Sequence, residues 1–557
     1  MASTHNPFER LKLLINIEHH DIKTLLAYGI GIGLMSLATP VAVQALVNTI
    51  SFGALLQPLI VLTLILFVLV GFSNFLVGLQ FYVIDMLQRR LFVRLFGEAA
   101  FNLQQASYSL RDKQHLPELA NRFLEVVTLQ KTTAVLLMET LGYMLQTIIG
   151  MVLLAFYHPL LLVFDLFLIA AIVFIIFVFG KNGIKTAIDQ SKAKYDALAW
   201  LENLAANPML GKTEQGQAFL SQQTNAIALN YLDASAKYFR ILLRQNTGAL
   251  ILHTLANTLL LGMGGWMVIE RQLSLGQLIA AELVVNAMIY GLTRLGKTLD
   301  NFYEMVASTD KLNYLLELPH DSISGITPQS KDTPYQVDVV DLSLPLHADY
   351  DALIGFNLHL VSGEQLVITE GADKSSLFDI LYGLRPPLAG YVCLDQQDLR
   401  DLNLRQLRNS IALVRDPEIL EQSVIDNVQL GRDFSIQTLK QALADVGLLD
   451  EILSLPEGLN TRLSIHGKPL TSEQTLRLTL ARAIVGSPRL LLLDKVLDRI
   501  DSRLLPELLA VLFAQHSPWT LIATSHELEV IKRCQRHGKI VNGVFVENTT
   551  AILDSQS

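Results

Sequence analysis

Long apolar runs dominate the first half of the chain, and short β-rich segments separated by helical patterns replace them in the second half. A helix needs about 20 apolar residues to cross the hydrocarbon core of a bilayer. Six stretches meet that need, at Thr24–Val47, Pro58–Ile84, Ala134–Tyr157, Pro159–Gly180, Gly248–Ile269 and Leu273–Leu292. Glu270 and Arg271 leave only a tight turn between the last two. Pro40 lies inside the first run, where its missing N–H predicts a kink. Residues 1–23 interleave Phe8, Leu11, Leu13, Leu14 and Ile15 with Glu9, Arg10, Lys12 and Glu18. That pattern predicts an amphipathic segment on the membrane surface and lacks the basic stub and cleavage site of a secretory signal.

The polar stretches between the runs set the orientation. Arg89, Arg90, Arg94 and Arg122 follow the second run, and Lys181, Lys185, Lys192 and Lys194 follow the fourth. The links Asn48–Gln57 and His158 carry no Lys or Arg. Positive residues stay on the cytoplasmic side, so both long loops and both termini are expected there. These loops are patterned as helices: Tyr195, Leu198, Leu201 and Leu204 recur at helical spacing. The expected organisation is a transmembrane domain over residues 24–319 with two long cytoplasmic helical extensions. A polar linker, 320–335, contains Gly325, Pro328 and Pro334. An α/β domain over 336–550 holds the buried-strand candidates QLVIT, SIALV, RLLLL and TLIAT, followed by a tail, 551–557.

Composition sharpens the picture in two places. Charged residues make up 17% of the 557, against about 25% in soluble domains, which argues against a purely soluble protein. A net charge of −9 lacks the basic face of a nucleic-acid binder. Cys393 and Cys534 are too few for a disulfide framework or a zinc cluster. Glu139, Asp165, His253, Asn257 and Glu282 fall within or near the spans. An acid at bilayer depth is costly enough to be a candidate for a transport pathway, with interhelical hydrogen bonding as the ordinary alternative.

The chemistry lies in the second half. The segment QLVITEGADKSSLFDILYGL reads as strand, glycine turn and helix start, the layout of a phosphate-binding loop. Gly371, Lys374, Ser375 and Ser376 are in place, while Ile368 and Asp373 stand where framing glycines belong. Downstream come LTSEQTLRLTLARAIVGSPRLLLLDKVLDRID and TLIATSH. In this order and spacing they resemble the signature motif and its helix, the Walker B strand with the D-loop, and the switch histidine of ABC-transporter ATPase domains. With six spans ahead, the whole chain resembles a type I ABC exporter half-transporter, most closely those of type I secretion systems. The fold implied is an all-α six-helix transmembrane domain followed by an α/β P-loop ATPase domain.

The resemblance assigns roles position by position. Lys374 would meet the β/γ-phosphates of ATP, and Ser375 and Asp494 would hold Mg2+. His526 matches the switch histidine, Asp501 the D-loop acid, and Leu470 and Gln474 the ends of the signature. The departures concentrate on the nucleotide. Lys495 occupies the catalytic-glutamate position, Glu473 a signature glycine, Arg415 the Q-loop glutamine and Leu344 the adenine-stacking aromatic. Loss of a general base costs about 10²–10⁴-fold. A carboxylate about 5 Å from a phosphate charge costs roughly 3 kcal/mol at an effective dielectric of 20, with Lys468 as a candidate offsetting cation. The expectation is an ABC-type ATPase with impaired or absent hydrolysis, multi-pass in a bacterial inner membrane. Its partners would be the membrane, a second half-transporter as homodimer or heterodimer, and a periplasmic adaptor, with no nucleic acid. The competing reading is a non-transporting membrane scaffold or nucleotide sensor that keeps the exporter fold.

Overall fold

The computed structural model describes residues 7–51, 56–110, 116–321, 324–329, 331–343, 354–371, 374–541 and 544–547. They divide into two compact units, one spanning residues up to 319 apart from a short segment, the other joining that segment, Ser107–Leu110, to the chain from His320 onward.

The first unit is helical. Its first apolar run forms two helices, His19–Ser36 and Ala38–Ser51, broken at Leu37. The break places Pro40 in the first turn of the second helix, where an N–H has no intrahelical partner to lose. Helices Leu56–Gln105 and Glu214–Ile269 hold 50 and 56 residues. At 1.5 Å per residue both exceed the roughly 30 Å hydrocarbon core more than twofold, which accounts for extensions beyond the apolar runs. Helix Glu125–Val135 continues through a π-helical turn, Leu136–Thr140, into Leu141–Tyr157. His158 caps the next helix, Pro159–Phe174, its Nδ1 accepting from the Leu160 N–H at 3.1 Å.

Among the described residues, five helical stretches are long and apolar enough to span a membrane, and Leu275–Met288 is a shorter apolar helix. The helix of the sixth apolar run, Leu275–Thr293, starts two residues later than the Leu273 expected. The cause is the preceding turn: Arg271 adopts φ +60°, and the N–H groups of Gln272 and Leu273 both donate back to the Met267 carbonyl.

Leu154, Leu161, Leu168, Leu252, Leu260 and Met267 form the core of the helical bundle. Gly150 permits close approach there, since a Cβ would lie 2.9 Å from Val284. Outside the apolar runs, buried Glu125 accepts from Lys194 at 2.6 Å, Tyr195 at 2.9 Å and Ser308 at 2.6 Å. The amphipathic helix Pro7–Ile17 buries Leu11 in a groove shared with Leu87, Leu91 and Leu129, and Arg10 pairs with Glu98. Its apolar face is thus partly used within the protein.

In the second unit, β1 (Val337–Ser343), β2 (Phe356–Leu360), β4 (Ala389–Leu394) and β5 (Gln397–Asp398) form an antiparallel sheet in the order β2-β1-β4-β5. The second sheet joins β3 (Gln365–Ile368), β6 (Ile411–Val414), β7 (Leu490–Asp494), β8 (Thr520–Thr524), β9 (Arg536–Val541) and β10 (Val544–Glu547) in the order β10-β9-β3-β8-β7-β6. It is parallel except for the β9–β10 pair. Every residue of β3, β7 and β8 is buried, as expected of parallel strands covered on both faces. Cys393 and Cys534 are free thiols, and burial pushes the Cys534 thiol up to about 11.

Candidate functional site

Strands β3, β6, β7 and β8 run parallel, so the loops after them collect at one edge of the sheet, where α/β folds bind ligands. After β3 the chain turns through Gly371 at φ +130°, where a Cβ would sit 2.6 Å from that of Ile540. The helix Lys374–Leu381 begins three residues further along the chain. Lys374 is 7% exposed, and its Nζ donates to the Thr369 carbonyl at 3.0 Å. Burial, and next the charge of Lys495, lower its pKa. Ser375 and Ser376 lie in the first helical turn. Asp373 and Leu344 lie outside the described residues.

Asp494 ends β7 opposite Thr524 of β8, whose hydroxyl donates to Asp494 Oδ1 at 3.1 Å. Arg415, just past β6, covers the other oxygen: its Nε donates to Asp494 Oδ2 at 2.6 Å. Its Nη1 donates to Asp379 Oδ1 at 3.0 Å and its Nη2 to the Ser375 carbonyl at 2.9 Å. Arg385 holds Asp379 from the far side, at 2.7 Å. Burial works against the guanidinium charge, but Asp379 and Asp494 outweigh it and raise the Arg415 pKa.

Lys495 follows Asp494 in the left-handed region, φ +56°, with its N–H donating to the Thr524 hydroxyl at 2.8 Å. Its side chain is exposed. His526, also exposed, donates its backbone N–H to Asp498 at 3.0 Å, and Ser525 binds the same carboxylate.

The signature residues gather around a different cation. Leu470 is buried, and Thr471 caps helix Ser472–Ile484 through a capping box with Gln474. The Gln474 amide also reaches Glu451. Glu473 accepts from Arg477 at 2.9 Å, and Arg477, 2% exposed, donates to Glu451 at 2.9 Å as well. The counter-charge to Glu473 is therefore Arg477 rather than Lys468, and the repulsion estimated for an unpaired acid is reduced. Asp501 pairs with Arg503 at 2.7 Å, and that hydrogen bond holds its carboxyl at about 2.

Lys374, Ser375, Arg415, Asp494, Lys495 and His526 thus share the sheet edge, while Glu473, Gln474 and Asp501 belong to separate ion-paired groups. Asp379, Arg385, Asp498 and Arg477 take part in these groups although the resemblance gives them no role. Of these, only Arg477 stood at a readable spacing, four residues after Glu473 on one helix.

A magnesium ion needs open carboxylate and hydroxyl oxygens in a near-octahedral shell. Asp494 has both oxygens engaged and its side chain is 1% exposed. The site as built does not fit magnesium. Polyphosphate fits better, with the Gly371 turn, a helix start and the cations Lys374 and Lys495.

Residues 25–292 match the family described as ABC transporter transmembrane region, and residues 353–497 match ABC transporter. The chain belongs to the ABC transporters, with the helical transmembrane domain and C-terminal α/β ATPase domain of the exporters. It is similar to the alpha-hemolysin translocation ATP-binding protein HlyB of Escherichia coli O157:H7, 22% identical over 533 residues, covering 93% of this chain and 74% of that protein. ATP-binding cassette sub-family B member 5 of Homo sapiens is 27% identical over 230 residues, 41% of this chain and 18% of that one. A solved structure of a bacterial Atm1-family ABC exporter with ATP bound shares the fold, with a TM-score of 0.84, 18% identity and coverage of 96% and 95%.

Proposed function

We propose that this chain is an export subunit of a bacterial inner membrane, with both termini cytoplasmic. It works as a dimer with an intact half-transporter, binds ATP and hydrolyses it slowly or not at all. The observation that carries this reading is the sheet edge itself: Lys374 and His526 persist, but Lys495 replaces the expected base and Arg415 clamps Asp494. A lysine cannot polarise an attacking water as a carboxylate does. The similarity to HlyB supports a place among type I secretion exporters, with a periplasmic adaptor as a further partner. The clamped Asp494 also favours a second reading, a nucleotide sensor without transport of its own.

ATPase assay of the purified chain tests the catalytic part. Turnover should fall far below the common enzyme value of about 10 per second, and Lys495→Glu alone should leave it low. Turnover near that value would sink the reading. Co-purification from the native membrane should bring down an intact half-transporter; its absence would favour the sensor. For topology, a membrane-impermeant thiol reagent should label Glu270→Cys and spare Lys192→Cys from outside, in a Cys393→Ser, Cys534→Ser background.

A further inference from the structure

We infer that Arg415 is a built-in cation standing in the place of magnesium, so that this chain takes the polyphosphate of a nucleotide without a divalent ion. The inference rests on the reading of Gly371, Lys374, Ser375 and Ser376 as parts of a nucleotide site. It adds what that site needs as a co-ligand.

The guanidinium occupies one oxygen of Asp494, the carboxylate that a metal would use. It reaches Asp494 at 2.6 Å, Asp379 at 3.0 Å and the Ser375 carbonyl at 2.9 Å, three acceptors from three separate segments. A planar fork of N–H donors matches such a set, which a compact ammonium would not. Thr524 takes the remaining Asp494 oxygen at 3.1 Å. A divalent ion bonded to Asp494 Oδ2 at about 2.1 Å would compete with Arg415 Nε for that oxygen.

Charge points the same way. Asp494 and Asp379 are balanced by Arg415 and Arg385 before any ion arrives. Displacing Arg415 to admit a doubly charged ion would leave a guanidinium and a metal beside Lys374, on which Lys495 already acts as a like charge. The resemblance places a neutral glutamine at this position, which leaves the metal as the local cation. Here Arg415 and Lys495 supply positive charge where the family relies on a metal and an acid.

The test uses the full-length chain in detergent and a ribose-labelled fluorescent ATP, displaced by unlabelled ATP. Affinity is read in EDTA and in excess magnesium. The expected result for the wild-type chain is a Kd that changes by less than about threefold between the two. Arg415→Gln should weaken binding by about tenfold or more in EDTA and recover it with magnesium, while Arg415→Lys should lie between. Wild-type binding that needs magnesium by tenfold or more overturns the inference but leaves the nucleotide site standing. No displaceable binding under either condition overturns both. Should Arg415→Gln fail to fold, the wild-type comparison decides alone.

Discussion

Two buried acids, one in each unit, end in opposite circumstances. Asp494 closes β7 with both oxygens bonded, one to Thr524 and one to Arg415. Asp165, on Pro159–Phe174, is 5% exposed and neither of its oxygens has a hydrogen-bond partner among the described residues. Burying a carboxylate is costly unless it is paired or neutral. The α/β unit solves this with its own arginine, locking the acid into one geometry. The helical unit leaves Asp165 open, in a helix long and apolar enough to span a membrane. An acid in such a helix, without a hydrogen-bond partner among the described residues, is a candidate functional group. The first arrangement spends a carboxylate on structure; the second keeps one in reserve.

The largest effect expected from this contrast is at Asp494. Removing one partner of a buried ion pair costs about 3–5 kcal/mol, and Asp494→Ala should fall at the low end because Arg415 retains Asp379. Thermal melting of the purified chain checks it. Glu125 of the helical unit is supplied by Lys194, Tyr195 and Ser308 and should behave like Asp494 on a smaller scale. Glu125→Gln keeps the shape and loses charge-assisted bonds, for a loss of about 1.5–3 kcal/mol. Glu473→Ala should cost less, about 1 kcal/mol, since Glu451 continues to hold Arg477. In a working heterodimer that substitution, or Glu473→Gly, should also raise ATP turnover at the site containing it. An unchanged rate would assign turnover to the other site.

Asp165→Asn should leave melting nearly unchanged or raise it, because no pair is lost. A drop as large as that of Asp494→Ala would erase the contrast between the two units. The smallest effect belongs to Arg503→Ala, whose exposed pair with Asp501 should move melting by no more than about 3 °C. That pair holds the folded-state pKa of Asp501 below its ordinary 3.8, at about 2. Its contribution is present above pH 3.8 and vanishes as the pH falls through 2, so wild type and variant should converge only at strong acid.

What could be read from the sequence depended on how local each signal was. Leu490–Leu493 announces a buried strand because consecutive apolar residues suit a sheet covered on both faces. Arg415 is marked by the resemblance, which places it at the Q-loop position in IALVRDPEIL. Its clamp was not legible: Asp379 lies 36 residues away and looks like any polar residue in a short helix. The antiparallel sheet escaped for a similar reason. β1 pairs with both β2 and β4, and neither partner carries a motif. The apolar helices were legible because length and apolarity define them, but how far Leu56–Gln105 and Glu214–Ile269 run beyond their apolar stretches was not. The late start at Leu275 was not, because it hangs on one carbonyl, that of Met267, accepting twice.

The π-helical turn at Leu136–Thr140 has a consequence for phase. Such a turn holds one residue more than the α-helical ladder expects, and one residue is about 100° of rotation around the helix axis. Everything after it in Leu141–Tyr157 is therefore aimed by that surplus residue, including Gly150, whose missing side chain admits Val284 and Met288. If the surplus were to migrate towards Tyr157, each residue it passed would swing through the same angle in turn. Gly150 would leave the contact and a neighbour with a side chain would enter it. Glu139 lies inside that turn and accepts from Arg294 at 3.2 Å, so this contact would change with it.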